Sequence, residues 1–298
     1  MGRARLAITL GDARGIGAEV VAKALAMRSV REACDVVIVG PSGLEVAPDV
    51  AVGAWSPGDG EAAAGRLAGL AIERAVAMAL AGEVQGIVTA PIDKHALHAG
   101  GFDFPGHTEL LASLTHCDTA MMLASDQLRV VLATTHIALR DVPAAVTGEA
   151  IGRAAELTRA GLRRWFGLAE PRLALCALNP HAGDHGRFGD EDDRILAPAA
   201  RAHGLEGPLS ADTVFVRALR GDFDAVIAPY HDVGMTAIKV ASFGSGVNVT
   251  LGLPFPRTSP DHGTAMDIAG QGIADAGSMV AAILCAAAMA GTTTSGKR

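Results

Sequence analysis

The sequence predicts an α/β protein built as two α/β domains with largely parallel sheets. Three observations carry that expectation. Short runs of branched apolar residues alternate with Ala-rich stretches of helical length along the whole chain. Gly-rich or polar segments follow the apolar runs, as they do where ligands bind beyond the carboxyl edge of a parallel sheet. The 298 residues correspond to about two domains at roughly 150 residues each.

Taken in order, Leu6–Leu10 reads as a buried strand, followed by a Gly-rich turn and a helix from Ala18 to Met27. Asp35–Val39 is the next strand, which completes a β-loop-α-β start. Residues 41–60 hold Pro, Gly and Ser and read as a connecting loop or a weak strand pair, ahead of a helix over Glu61–Ala81. Gly86–Ala90 is a strand closed by Pro91. Ala120–Ala124 and Arg129–Thr134, joined by Ser125-Asp126-Gln127, suggest a hairpin or adjacent strands. A helix over Gly148–Phe166, a strand over Arg172–Leu178 and a helix over Glu191–His203 follow. Strands at Ala225–Ala228 and Val247–Leu251 and a helix over Asp275–Ala290 complete the series.

Composition narrows the function. Lys and Arg number 25 against 32 Asp and Glu, a net charge of −7 with no basic cluster. That disfavours a nucleic-acid or anionic-membrane surface and favours a small-molecule partner. Half the residues are apolar and 36 are Gly, which excludes a disordered or collagen-like chain. The four cysteines lie far apart, without a C-x-x-C pair, as expected in a reducing cytoplasm. Neither a signal peptide nor an apolar run long enough for a bilayer is expected.

Seven segments bear polar chemistry. Gly11-Asp12-Ala13-Arg14-Gly15-Ile16-Gly17 lies between a strand and a helix; it suits either a ligand loop or a structural turn, and it lacks the G-x-G-x-x-G spacing of a Rossmann site. Gly106-His107-Thr108-Glu109 offers an imidazole, a hydroxyl and backbone donors to an anion, or is a helix start capped by Thr108. His136, His181 and His231 each follow a different predicted strand. One such His is commonly structural, but three on converging strand ends suit a catalytic divalent metal, with His185 as an alternate donor. Lys239, Asn248 and Arg257 sit among apolar neighbours, which suggests a pocket for phosphate or carboxylate rather than scattered surface cations. Finally, Asp261–Ala274 includes Gly263-Thr264-Ala265 and Asp267; it is either a nucleotide loop leading into a short helix or an ordinary capped turn.

In this order the segments resemble the 4-hydroxythreonine-4-phosphate dehydrogenase family of pyridoxal phosphate biosynthesis, nearly end to end. The resemblance rests on Phe104-Pro105-Gly106-His107-Thr108-Glu109, Thr134-Thr135-His136, Leu178-Asn179-Pro180-His181-Ala182-Gly183, Gly207–Thr213, Tyr230-His231-Asp232 and Gly246–Ser259. His262-Gly263-Thr264-Ala265 through Gly270 is similar to the NAD-adenosine loop of isocitrate and isopropylmalate dehydrogenases, whose fold the family shares. One departure is Ala13-Arg14, where the family usually has Pro followed by Ala or Ser.

The resemblance implies an isocitrate/isopropylmalate dehydrogenase-like fold with the active site in the interdomain cleft of a cytoplasmic homodimer. Cofactor-related segments at both ends imply one domain of residues 1–105 plus 250–298 and a central domain of 106–249 that carries the metal ligands and the dimer interface. It implies His136, His181 and His231 as ligands of one divalent metal (zinc, cobalt or magnesium), with His231 supplied to the partner subunit's site. It implies substrate contacts from His107, Thr108, Lys239, Asn248 and Arg257. NAD, in preference to NADP, is expected at Gly263, Thr264, Ala265 and Asp267, because a 2′-phosphate would face a carboxylate. The implied reaction oxidises a secondary alcohol by hydride transfer to NAD and gives a β-keto acid that loses carbon dioxide; Asp232 and Lys239 are the candidate general bases. The rival readings are a D-threonate or D-erythronate 4-phosphate dehydrogenase and, from another class, a non-redox metal-dependent phosphate-ester binder or hydrolase.

Overall fold

A computed structural model describes residues 3–242 and 246–295 of the chain. By internal contact the chain falls into two units, Met1–Thr119 with Val247–Arg298, and Ala120–Gly246. In chain order the first unit contributes β1 (Ala4–Thr9), α1 (Gly17–Ala26), α2 (Arg28–Ala33), β2 (Cys34–Ser42), β3 (Val50–Ala54), α3 (Gly60–Leu80), β4 (Gly86–Thr89), α4 (Lys94–Ala99) and α5 (His107–Thr115). The second contributes β5 (Ala120–Ala124), β6 (Arg129–Leu132), α6 (Val142–Ala145), α7 (Gly148–Phe166), β7 (Leu173–Cys176), α8 (Ala197–His203), β8 (Glu206–Leu209), α9 (Ala211–Leu219), β9 (Ala225–Ala228) and α10 (His231–Ser242). The chain then returns to the first unit with β10 (Val247–Leu251), β11 (Arg257–Pro260) and α11 (Gly277–Ser295).

In the first unit the strands lie in the order β3-β2-β1-β4-β11-β10. All neighbours are parallel except β10 and β11, which run antiparallel with Asn248 opposite Ser259. Leu6, Ala7, Ile8 and Thr9 are all buried, as in a central parallel strand covered on both faces. The chain winds from β1 outward to β3 and returns at β4, so β1 and β4 flank a topological switch point, where open α/β sheets bind ligands. The loops that follow them meet there: Asp12 N donates to Pro91 O at 3.0 Å. Gly11 has a φ of +72°, and a Cβ on it would stand 2.2 Å from Pro91 O, so only glycine fits.

Ala7, Val37, Val39, Ile72, Val76 and Ile87 form this unit's core together with Leu110 and Leu111 of α5. That packing explains why residues 106–119 group with the first unit.

The second unit orders its strands β5-β6-β9-β7-β8. β5 and β6 form the antiparallel hairpin, Met122 opposite Val131, and the remaining pairs are parallel. α7 is capped by Thr147, whose side chain accepts from Ala150 N at 3.1 Å, and it ends at Gly167 in the left-handed region. An α/β protein with largely parallel pairing is therefore the observed class. Among the described residues no helix is long and apolar enough to cross a membrane, and Cys34, Cys117, Cys176 and Cys285 are free.

Several elements depart from the sequence expectation. The 41–60 segment holds a true strand, β3, parallel to β2. Residues 257–260 form a fully buried strand although they read Arg-Thr-Ser-Pro. His231 opens a twelve-residue helix, α10, that apolar periodicity does not announce. The segment that carries Asp267 is a series of turns and bends, with no short helix.

Candidate functional site

Arg257 anchors a buried polar cluster inside the first unit. It is 1% exposed, and its guanidinium donates to Thr250 Oγ1 at 2.8 Å and Thr89 Oγ1 at 2.5 Å. Thr250 and Asn248 alternate onto one face of β10. Burial pulls the Arg257 guanidinium down to about 9 against the opposing pull of Glu109, a value that still leaves it charged at neutral pH.

His107 opens α5 behind Gly106, which is the N-cap, so the alternative of a helix start capped by Thr108 does not hold. Burial first, and then the charges of Arg257 and Lys94, hold its imidazole well below the usual histidine range. Among the described residues, His107 Nε2, Asn248 Oδ1 and Arg257 Nε are buried without a hydrogen-bond partner. Buried polar groups are ordinarily satisfied, so the unpartnered atoms of Arg257 and of His107, which feels the Arg257 charge, suit a polar ligand. A phosphate or carboxylate suits the guanidinium in charge and geometry.

A second part of the first unit carries the 261–276 segment. Gly263 and Asp267 are exposed and Thr264 is half-buried. Ala265 has a φ of +42°, unusual for a residue with a Cβ. Successive turns order the segment through Ile268 N to Ala265 O at 3.2 Å and Gln271 Nε2 to Asp267 O at 2.8 Å. His262 Nε2 is buried and unpartnered, and Asp267 is exposed to solvent, where its carboxylate can accept hydrogen bonds.

The three histidines all belong to the second unit, at the ends of three neighbouring strands, β6, β9 and β7. Ala133 N donates to Ala228 O at 2.9 Å and Thr134 Oγ1 to Pro229 O at 2.7 Å. These bonds lock the ends of β6 and β9 together and bring His136 and His231 within 5.4 Å, ring centre to ring centre. His231 Nδ1 lies 2.8 Å from Asp232 Oδ1.

The loop after β7 carries His181. His181, Ala182, Asp184 and His185 all have left-handed φ between 44° and 57°, and His181 Nδ1 sits 3.9 Å from Asp212 Oδ2. Among the described residues no three metal-ligating side chains form a cluster. One chain thus presents a pair of facing imidazoles rather than a complete three-histidine site.

Lys239 corrects one expectation: it is exposed on α10, not buried among its apolar neighbours. Helical periodicity sends Ile238 into the core and turns Lys239 and Val240 outward. Asp232 is likewise mostly exposed.

The structure also reveals supporting residues that the sequence does not single out. Thr89 and Thr250 orient Arg257. Asp192, fully buried in a π-helical turn, accepts the Leu178 and Asn179 amides at 2.8 and 2.9 Å and so fixes the start of the His181 loop. For Asp192 the only sequence signal is an acid inside a helix start. Thr89 is marked by ending a strand beside Pro91.

Comparison with known proteins places the chain among relatives of nearly the same length. The family model described as pyridoxal phosphate biosynthetic protein PdxA matches residues 6–286. The chain is 43% identical to a 4-hydroxythreonine-4-phosphate dehydrogenase of Geobacter metallireducens, over 98% of this chain and 97% of that protein. It is 44% identical to a D-threonate 4-phosphate dehydrogenase of Cupriavidus necator, over 93% and 95%. The crystal structure of the 4-hydroxythreonine-4-phosphate dehydrogenase of Klebsiella pneumoniae superposes with a TM-score of 0.85 at 40% identity, covering 96% of this chain and 98% of that one. The chain accordingly belongs to the PdxA family of pyridoxal phosphate biosynthetic proteins.

Proposed function

We propose that the protein is a nicotinamide-dependent dehydrogenase that oxidises 4-phosphooxy-L-threonine to a β-keto acid, which decarboxylates to 3-amino-2-oxopropyl phosphate in vitamin B6 biosynthesis. The observation that carries this reading is the buried, charged Arg257 beside the unpartnered His107 Nε2 and Asn248 Oδ1, in a chain that matches PdxA over most of its length. Arg257, held by two threonine hydroxyls, neutralises a substrate anion. His107, kept neutral, and Thr108 bond to its oxygens, and Asn248 reads a neighbouring donor. Asp267 and the Gly263-Thr264-Ala265 turn hold the adenosine of NAD, and a carboxylate at that place disfavours NADP. When bound there, the nicotinamide would supply hydride acceptance, and Asp267 with the Gly263-Thr264-Ala265 turn would orient it towards the substrate.

Asp232 and Lys239 are the candidates to receive the hydroxyl proton; Asp232 lies beside His231, and Lys239 is on the outer face of α10. A divalent cation belongs to the reading, with His136, His181 and His231 drawn from the two copies of a homodimer as its donors. When bound, such a cation supplies Lewis-acid stabilisation of developing negative charge. The reading includes a cytoplasmic, small-molecule enzyme.

A second substrate has support, because the Cupriavidus necator relative is named for D-threonate 4-phosphate. Steady-state assays of reduced-nicotinamide formation with 4-phosphooxy-L-threonine, D-threonate 4-phosphate and D-erythronate 4-phosphate decide between them. The highest kcat/KM with the amino acid supports the first reading, and a tenfold preference for either sugar acid supports the second.

A further inference from the structure

The Gly11–Gly17 loop and the helix after it grip the 262–274 segment at two places. Upstream, Ile16 N donates to Thr264 O at 3.0 Å, and a Cβ on Gly15 would stand 2.7 Å from the same oxygen, so the two loops touch backbone to backbone. Arg14 stiffens the upper loop: its Nε and Nη2 bond both oxygens of the buried Asp12, at 3.0 and 2.8 Å. Downstream, Glu19 Oε1 on α1 accepts from Ala274 N at 2.8 Å and from Lys23 Nζ at 2.8 Å. Lys23 Nζ also donates to Gly272 O at 2.9 Å and Ala274 O at 2.7 Å.

All three protons of the ammonium are therefore used, two of them on the segment itself. Between the grips lie the exposed Met266, Asp267, Gly270 and Gln271, with a left-handed glycine at 270. A solvent-facing stretch of this kind has little local stability of its own. Its place depends on what holds its ends.

We propose that Glu19 and Lys23 are positioning residues for the nicotinamide cofactor, fixing the segment that carries Asp267 without touching the cofactor. The inference rests on the reading of that segment as the adenosine site and adds to it the residues that pre-form it. The Gly-rich loop is then a clamp on a second loop rather than a phosphate cradle. A pre-formed site avoids the entropy of ordering a loop on binding, so loosening the clamp weakens cofactor binding and leaves the substrate pocket intact.

The test measures NAD binding by calorimetry and steady-state kinetics on the full-length protein for Lys23→Met, Glu19→Gln, Asp267→Ala and the double variant Lys23→Met with Asp267→Ala. Lys23→Met is expected to raise the Kd and KM for NAD about tenfold, the scale of one charge-assisted hydrogen bond, with substrate KM and kcat within twofold. The double variant is expected to bind no more weakly than the worse single variant, because both act through one segment. Glu19→Gln keeps the shape and one acceptor, so it gives a smaller effect in the same direction and serves if Lys23→Met does not fold. An unchanged NAD affinity in Lys23→Met and Glu19→Gln, with Asp267→Ala impaired, overturns the clamp alone. A parallel fall in kcat and both affinities that tracks Tm also overturns it. An unimpaired Asp267→Ala overturns the cofactor-site reading, and the clamp with it.

Discussion

Replacing Arg257 by Met separates what the pocket does for stability from what it does for binding. The guanidinium is 1% exposed, and burial pulls it well down from the ordinary arginine range, to about 9. Because the folded value lies below the unfolded one, the charged form is penalised by folding, fully so below about pH 9. At ~1.36 kcal/mol per pH unit the penalty is roughly 5 kcal/mol. Met has a similar length and carries no charge, so Arg257→Met removes that penalty. It leaves the hydroxyls of Thr89 and Thr250 without their partner, at about 1–3 kcal/mol each.

The net expectation runs from near zero to about 3 kcal/mol of added stability, in line with the replacement of other buried ions by apolar residues. Function moves the other way. Losing a buried charge that meets an anion costs about 2–5 kcal/mol, or about 30-fold to a few thousand-fold in kcat/KM for the phosphorylated substrate. Urea unfolding at pH 7.5 (roughly the plateau for a carboxylate-rich protein) and steady-state kinetics read the two quantities. A variant destabilised by more than about 2 kcal/mol, or one that keeps its kcat/KM, refutes the assignment of Arg257 as a ligand-neutralising charge.

Other expectations follow from single features. The folded pKa of His107 is depressed, so its contribution to stability is present above pH 6.5 and is lost as the pH falls towards the folded value; wild type should lose more Tm than His107→Asn between neutral pH and about pH 5. Asp192→Ala should cost about 2–4 kcal/mol in urea unfolding, since two backbone amides lose their acceptor; a loss below about 0.5 kcal/mol would contradict its anchoring role. His181→Ala should abolish metal-dependent turnover and lower the divalent metal retained after dialysis, whereas full activity would exclude it as a ligand. Cys176 is buried and its thiol is pushed up to about 12, so a thiol-reactive dye should label it only after unfolding, as peptide mapping will reveal.

Much of the scaffold was legible because it follows simple periodicity. β1, β2, α3, α7 and the β5–β6 hairpin all lie close to their expected positions, since each combines a continuous apolar run or a helical stripe with a recognisable end. The parts that sequence reading missed are those where function or tertiary packing overrides the pattern. β11 is polar by sequence yet wholly buried, because its side chains bond to buried partners, Arg257 to Thr250 and Thr89 and Thr258 to Ala282 O, rather than to a hydrocarbon face. Lys239 looked interior from its neighbours, and only the helical phase of α10 turns it outward. The left-handed run at 181–185 leaves no local sequence trace beyond Gly183, so the course of the loop that carries His181 is not legible in the sequence. The Arg257 pocket was foreseeable in its charge and amide, whereas the threonine hydroxyls that orient it came into view only with the strand register.

The central claim is that this chain oxidises a phosphorylated hydroxy acid with a nicotinamide cofactor. Its most direct test is the absorbance of reduced nicotinamide when purified full-length protein is given NAD, a divalent metal and 4-phosphooxy-L-threonine, with D-threonate and D-erythronate 4-phosphates assayed in parallel. The account predicts reduced cofactor in stoichiometric step with released carbon dioxide, fastest with 4-phosphooxy-L-threonine and lost in Arg257→Met. No reduced cofactor with any of the three substrates would contradict it.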